Sequence, residues 1–431
     1  MRRSIVHEGA GKLTYEIREI VKIARKVSSL GQEVVWENIG DPVQKGEIVS
    51  SWIRDKVSER AQDSLSFGYT DSQGHLETRS FLSEIVNKRG TTKITMDDII
   101  FFNGLGDAIS KVYNYLKREA RILGPSPAYS THSSAEAAHS GYEHLTYSLD
   151  PKNNWFPDLE EMENKIKYND SIAGILIINP DNPTGAVYPK WILESIVNLA
   201  EKYDLFIICD ETYANVTFPN TEWTFLSDVI KNVPAISMRS LSKELPWPGA
   251  RCGWAEVYNR HIDTEFSTYI DSIINAKRLE VCSTTLPQIV LPEILGDERY
   301  TTHLKVRANK FSNRADHAWK YFSKINGITS IKPSGGLYMT VIFNELSNQG
   351  VLQIKNQSVK SYIEEAVIGV PDDKRFVYYL LGATGICVVP LSGFYSGLKG
   401  FRFTLLEDDD DKRDWIYKTL AQSVQDYLNE I

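Results

Sequence analysis

Cysteine is scarce in this chain of 431 residues: Cys209, Cys252, Cys282 and Cys387 are scattered, with no CxxC pair. That spacing offers neither a zinc ribbon nor a disulfide framework, and it fits reduced thiols in a cytoplasmic protein with no metal centre. Long apolar runs are missing too, since none approaches the ~20 residues needed to span a bilayer. Positive charge is not in excess. The net charge of −8 leaves no basic footprint for nucleic acid and no polybasic membrane patch. No apolar stretch follows Met1-Arg2-Arg3, so a secretory signal is not expected. The phosphate-binding fingerprints GxGxxG and GxxxxGK(S/T) are both absent, and no internal repeat is present.

What is present is an ordinary globular balance, 42% hydrophobic and 24% charged, in a chain long enough for two or three structural units. Short apolar runs punctuate the middle of the sequence. Asp98–Phe102 (DIIFF), Ser171–Ile178 (SIAGILII) and Leu205–Cys209 (LFIIC) read as strands. Ala120–Leu123, His144–Tyr147, Ala235–Met238 and Cys252–Val257 read likewise. Continuous rather than alternating runs imply strands covered on both faces, as in parallel sheets. Between them Ile109, Val112, Tyr113 and Leu116 keep helical spacing, as do Ile192, Ile196, Leu199 and Tyr203. This alternation over residues 65–260 predicts an α/β unit. Residues 12–35, 305–325 and 412–430 read as helices, and Gly335–Phe343, Gly385–Val389 and Gly400–Leu405 as strands. They suggest a smaller α+β domain built from both termini. The expected division is 1–60, an N-terminal segment and part of the small domain; 61–305, the large domain; and 306–431, the small C-terminal domain. The acidic run Glu407–Asp411 reads as a solvated turn.

In α/β sheets ligands bind beyond the carboxyl ends of the strands, so the polar residues after each run carry the information. Asn103-Gly104-Leu105-Gly106-Asp107 follows one strand and opens a helix, whose free N–H groups suit a phosphate. Asn179-Pro180-Asp181-Asn182-Pro183-Thr184-Gly185 is a stiff turn that fixes Asn182. Asp210-Glu211-Thr212-Tyr213 places a carboxylate at a strand end, where its charge wants a cationic partner. Ser240-Leu241-Ser242-Lys243 followed by Gly249-Ala250-Arg251-Cys252-Gly253 sets a reactive amine near an anion-binding arginine. Each string alone is also compatible with a plain loop, cap or surface residue.

Together and in this order, the four strings resemble the class I/II aminotransferases that use pyridoxal phosphate. The densest match is S-x-S-K-x-x-x-x-x-G-x-R-x-G at Ser240, Ser242, Lys243, Gly249, Arg251 and Gly253. The resemblance implies fold type I, with a mainly parallel seven-stranded sheet in the large domain. It implies a Schiff base between the cofactor and Lys243, which would later carry the migrating proton. Asp210 would pair with the ring nitrogen, Tyr213 and Asn182 with the ring oxygen, and Tyr129 would stack on the ring. Gly104, Leu105, Gly106, Ser240, Ser242 and Arg251 would hold the phosphate, joined by Tyr69 of a second subunit in a homodimer with shared sites. Arg402 and Gly40 would bind the substrate carboxylate.

Within that family the chain looks most similar to alanine aminotransferases, on Lys12–Arg18 (KLTYEIR), Trp155–Leu159 and Gly385–Val389. The resemblance puts Tyr15 and Arg18 over an amino acid or 2-oxo acid substrate, with 2-oxoglutarate as acceptor. Aspartate, aromatic or kynurenine aminotransferases remain alternatives, as do β-lyases and aminocyclopropane-carboxylate synthases, because all share these motifs.

Overall fold

The computed structural model describes residues 5–13, 16–346 and 350–429. Its largest sheet has eight strands, in the order Ile99–Phe102, Gly253–Tyr258, Ala235–Ser240, Phe206–Asp210, Ile172–Ile178, Arg121–Ser126, Thr146–Asp150 and Phe156–Pro157. The continuous apolar runs have the expected cause. Ile175 and Ile177 enter one core and Leu176 and Ile178 the other, because successive side chains point to opposite faces and both are covered. Helix Lys190–Lys202 packs Ile192 and Ile196 on the first face. Helices Leu105–Asn114 and Thr264–Glu280 pack Val112, Tyr113 and Ile270 on the second.

The sheet is mainly parallel, as expected, with one strand more than the expected seven. The eighth is the two-residue edge strand Phe156–Pro157, antiparallel to Thr146–Asp150. Gly253–Tyr258 runs antiparallel to both of its neighbours. Its connection from Ser240 holds a four-residue helix and a short turn and brings it back beside Ala235–Ser240.

A second sheet of four antiparallel strands is ordered Ile328–Ser330, Tyr338–Phe343, Gly400–Thr404 and Val389–Pro390. Its core takes Ile20, Ala24 and Val27 from helix Glu16–Ser29, and Ile416 and Leu420 from helix Asp410–Asn429. The first of these helices is shorter than the expected 12–35, because Val35–Trp36 leaves to pair in parallel with Ile386–Cys387. The acidic run is not simply solvated. Glu407 is buried and paired with Lys45 and Lys412, while Asp410 and Asp411 open the last helix. No helix among the described residues is long and apolar enough to cross a membrane.

Candidate active site

The strands ending at Ile178, Asp210 and Ser240 are parallel neighbours, so their carboxyl ends share one edge of the sheet. Ile99–Phe102 runs in the same direction and adds Asn103 and Gly104 to that edge. A cavity of about 670 Å3 opens there, and the other sheet closes it with Tyr338 and Arg402. Its lining gathers most of the residues expected from sequence: Leu105, Gly106 and Tyr129; Asn182, Asp210 and Tyr213; Ser240, Ser242, Lys243 and Arg251; Gly40 and Arg402. Arg18 joins from helix Glu16–Ser29, with Lys22 and Arg25 on the same face. Six cationic side chains thus face the carboxylates of Asp41 and Asp210, inside a protein of net charge −8.

The Lys243 amine donates to the main-chain oxygen of Gly40. Gly40 has to be glycine, because a Cβ there would collide with the Tyr338 hydroxyl. The Arg402 guanidinium is buried, 4.2 Å over the ring of Tyr338 and 5.1 Å from that of Phe394. One of its terminal nitrogens donates to Asn182 Oδ1 at 3.3 Å and the other to the main-chain oxygen of Asn38. Its Nε has no protein partner among the described residues.

Two participants join the residues expected from sequence. His132, one helical turn after Tyr129, is fully buried and donates from Nε2 to Asp210 Oδ2 at 3.1 Å. Its Nδ1 then faces the Tyr113 hydroxyl at 3.5 Å as an acceptor. Burial opposes ionisation of Asp210, but the hydrogen bonds from His132 and Thr212 outweigh it and lower its pKa. Tyr338 is the second. Tyr213 donates to its hydroxyl at 3.0 Å. Burial pushes the Tyr213 phenol up. Burial opposes ionisation of Tyr338 as well, yet the charges of Lys243 and Arg402 bring its pKa down. In the sequence His132 lies one turn past a strand-end aromatic, and Tyr338 ends Pro333-Ser334-Gly335-Gly336-Leu337-Tyr338, a segment that resembles one in the small domain of the same aminotransferase family.

Beside these groups lies an anion cradle. The amides of Leu105 and Gly106 open helix Leu105–Asn114 and so have no intrahelical acceptor. The Ser240 and Ser242 hydroxyls are 2.9 Å apart. Arg251 donates to the main-chain oxygens of Pro248 at 3.1 Å and Asn103 at 3.4 Å. Gly104, at φ 81°, takes a backbone conformation open to glycine, and a Cβ there would strike the Arg251 guanidinium.

Tyr69 is not part of this cavity; it is 85% exposed on the outer surface. Tyr15 lies outside the described residues.

Asp181 sits fully buried in the turn that carries Asn182. Burial outweighs its bonds to Thr184 and raises its pKa to about 7. Its Oδ1 has no partner among the described residues. The folded chain therefore holds this proton more tightly than the unfolded one. The resulting stabilisation is complete below the ordinary carboxylate value of about 3.9 and is lost as pH rises through about 7. Asp181→Asn is expected to gain stability relative to the parent between about pH 5 and about pH 8, read from urea midpoints. Identical pH dependence in the two proteins would exclude a buried proton on Asp181.

Comparison with known proteins agrees with this geometry. The model of the family "Aminotransferase class I and II" matches residues 34–413. An uncharacterized aminotransferase of Methanocaldococcus jannaschii is 52% identical over 430 residues, covering 99% of this chain and 100% of the relative. Glutamate-pyruvate aminotransferase AlaA of Escherichia coli K12 is 29% identical over 332 residues, covering 75% and 79%. The solved alanine aminotransferase of Pyrococcus furiosus matches at TM-score 0.84 and 26% identity, over 100% of both chains. The architecture is that of the fold-type I enzymes. A family match over most of the length, together with a full-length relative bearing the same activity name, makes the chain an enzyme of the class I and II aminotransferases.

Proposed function

We propose that this aminotransferase carries pyridoxal 5′-phosphate on Lys243 and transfers the amino group of an L-amino acid, alanine foremost, to 2-oxoglutarate. The observation that carries the reading is one cavity shared by a lysine amine, a histidine-backed carboxylate and a buried arginine fork. The named activities of the Escherichia coli and Pyrococcus relatives support alanine.

The residues fit such a cofactor. The cradle of Leu105, Gly106, Ser240, Ser242 and Arg251 offers N–H and O–H donors and a cation, as a phosphate requires, and Gly104 leaves Arg251 room to reach it. Asp210, held ionised by His132 and Thr212, suits a protonated ring nitrogen. When bound, pyridoxal phosphate supplies an electron sink that acidifies the substrate Cα–H and carries the amino group between the two half-reactions.

The chain's own residues do the rest. Arg402 grips the α-carboxylate through its planar fork, and the Gly40 segment lies against the same group. Arg18, near the cavity mouth, meets the distal carboxylate of glutamate or 2-oxoglutarate. The Lys243 amine, free once the substrate's own amine takes its place on the cofactor, would take the Cα proton and deliver it to the acceptor carbon. Tyr213 keeps its proton under burial, so it serves with Asn182 as a hydrogen-bonding partner of the ring oxygen. Tyr129 covers the ring face.

The active form is proposed to be a homodimer in which Tyr69 reaches the partner's phosphate. Leu65, Phe67 and Tyr69 are 76%, 78% and 85% exposed, an apolar group that a lone chain would leave in water.

The test is a panel of amino donors with 2-oxoglutarate and added cofactor, with sedimentation of the same preparation. Alanine is expected to lead, and the active species to sediment as a dimer. Equal rates with alanine, aspartate and aromatic acids would remove the alanine preference. Without any acceptor, continuous release of 2-oxo acid together with ammonia, beyond the amount of cofactor present, would identify a lyase instead. An active monomer would remove the shared site.

A further inference from the structure

Arg307, on helix Arg299–Phe322, is buried at 4% exposure and uses its guanidinium in two directions. Nε and one terminal nitrogen donate to Glu47 Oε1 and Oε2 at 2.8 and 2.9 Å, a bidentate pair. The other terminal nitrogen donates to the main-chain oxygens of Lys243 and Glu244 at 2.5 and 3.0 Å. Those carbonyls end the four-residue helix Leu241–Glu244. A helix so short cannot satisfy or hold its own end, so its orientation depends on outside donors. His303 supplies one more, to Glu244 at 3.0 Å. Glu47 is buried too. Burial opposes its ionisation, but Arg307 and Lys310 outweigh it and lower its pKa.

The segment from Gly40 to Glu47 therefore grips Lys243 at both ends. Gly40 accepts from the side-chain amine, and Glu47 acts on the main chain through Arg307. Between them Lys45 is buried against Glu37 at 2.5 Å and Glu407 at 3.1 Å. Glu37 in turn accepts from the Thr404 hydroxyl, two residues past Arg402 on the same strand. Buried charge pairs thus run from the Arg402 strand to the Lys243 backbone.

We propose that Arg307 is a positioning residue of the transamination: through Glu47 it holds the Lys243 amine in register with the carboxylate fork of Arg402, where the substrate Cα must sit. The proposal rests on the reading of Lys243 as the amine that moves the Cα proton. A misplacement of about 1 Å in such a group can cost about a hundredfold in rate. Arg307 does not line the cavity and bonds directly to the Lys243 main chain, so its loss is expected to fall more on the proton transfer than on binding.

The experiment compares parent holoenzyme with Glu47→Gln, Arg307→Lys and Arg307→Met. Rates are taken per bound cofactor, with L-alanine and Cα-deuterated L-alanine, alongside the visible circular dichroism of the bound chromophore. In Glu47→Gln and Arg307→Met, kcat is expected to fall about ten- to a hundredfold, with KM within about threefold. The deuterium effect rises as proton transfer becomes limiting, and the dichroism per bound cofactor falls as the chromophore loses its fixed setting. Arg307→Lys lies between, because an ammonium keeps one of the two bonding directions. A lower melting temperature with unchanged kcat per bound cofactor, isotope effect and dichroism would assign Arg307 a structural role only and overturn the proposal. If Arg307→Met does not fold, the other two variants decide. If alanine is not turned over by the parent, the donor assignment fails separately. The isotope effect is then measured with whichever donor leads the panel, and the dichroism needs no donor.

Discussion

Lys243→Ala is expected to yield a folded protein in which transamination falls by at least about ten-thousandfold, the upper end of what a positioned proton-transfer group supplies. The side chain is half-buried and its amine donates to the Gly40 carbonyl, a contact outside all three apolar cores, so its removal leaves them intact. Cofactor binding weakens without vanishing, since the anion cradle and Asp210 are untouched. Borohydride treatment is expected to fix the cofactor to the parent and to add no mass to the variant. Turnover above about a hundredth of the parent rate would take Lys243 out of the reaction.

Arg402→Lys is the second large effect. Lysine cannot present a planar fork, and it leaves Asn182 Oδ1 and the Asn38 carbonyl without their shared donor. Truncating one side of a buried charge-assisted contact costs about 2–5 kcal/mol, so kcat/KM for alanine and for 2-oxoglutarate is expected to fall about thirtyfold to several-thousandfold. The sandwich between Tyr338 and Phe394 also loses its flat cation, so melting is measured in parallel. The parent is expected to reject L-alaninamide, which lacks the carboxylate, far more strongly than the variant does. Equal discrimination in both proteins would place the α-carboxylate elsewhere.

Much of this site is legible in the amino-acid sequence, and the reason is physical. Parallel strands buried on both faces leave continuous apolar runs, and their carboxyl ends put Asn182, Asp210, Ser240 and Lys243 within a few residues of those runs. The eighth strand is hidden because two residues, one of them proline, carry no periodicity. The reversal of Gly253–Tyr258 is hidden because its run is buried like those of the parallel strands, and the twelve residues before it do not settle its direction. His132 reaches Asp210 across 78 positions, and Arg307 reaches Glu47 across 260. Contacts of that span leave no local spacing to detect. Glu407 reads as solvated for the same reason, since its partner Lys45 lies 362 positions away.

That last separation has a consequence for synthesis. The central sheet draws all its strands from residues 99–258, so the ribosome has released it in full while the strand bearing Arg402 is still unmade. Lys45 waits for Glu407, and Val35–Trp36 for Ile386–Cys387, through nearly the whole of translation. Until then the early segment lacks its sheet partner, and Lys45 has only Glu37 of its two counter-charges. The amine end of the site can take shape while the chain is still growing, but the carboxylate clamp is necessarily among the last parts of the molecule to close.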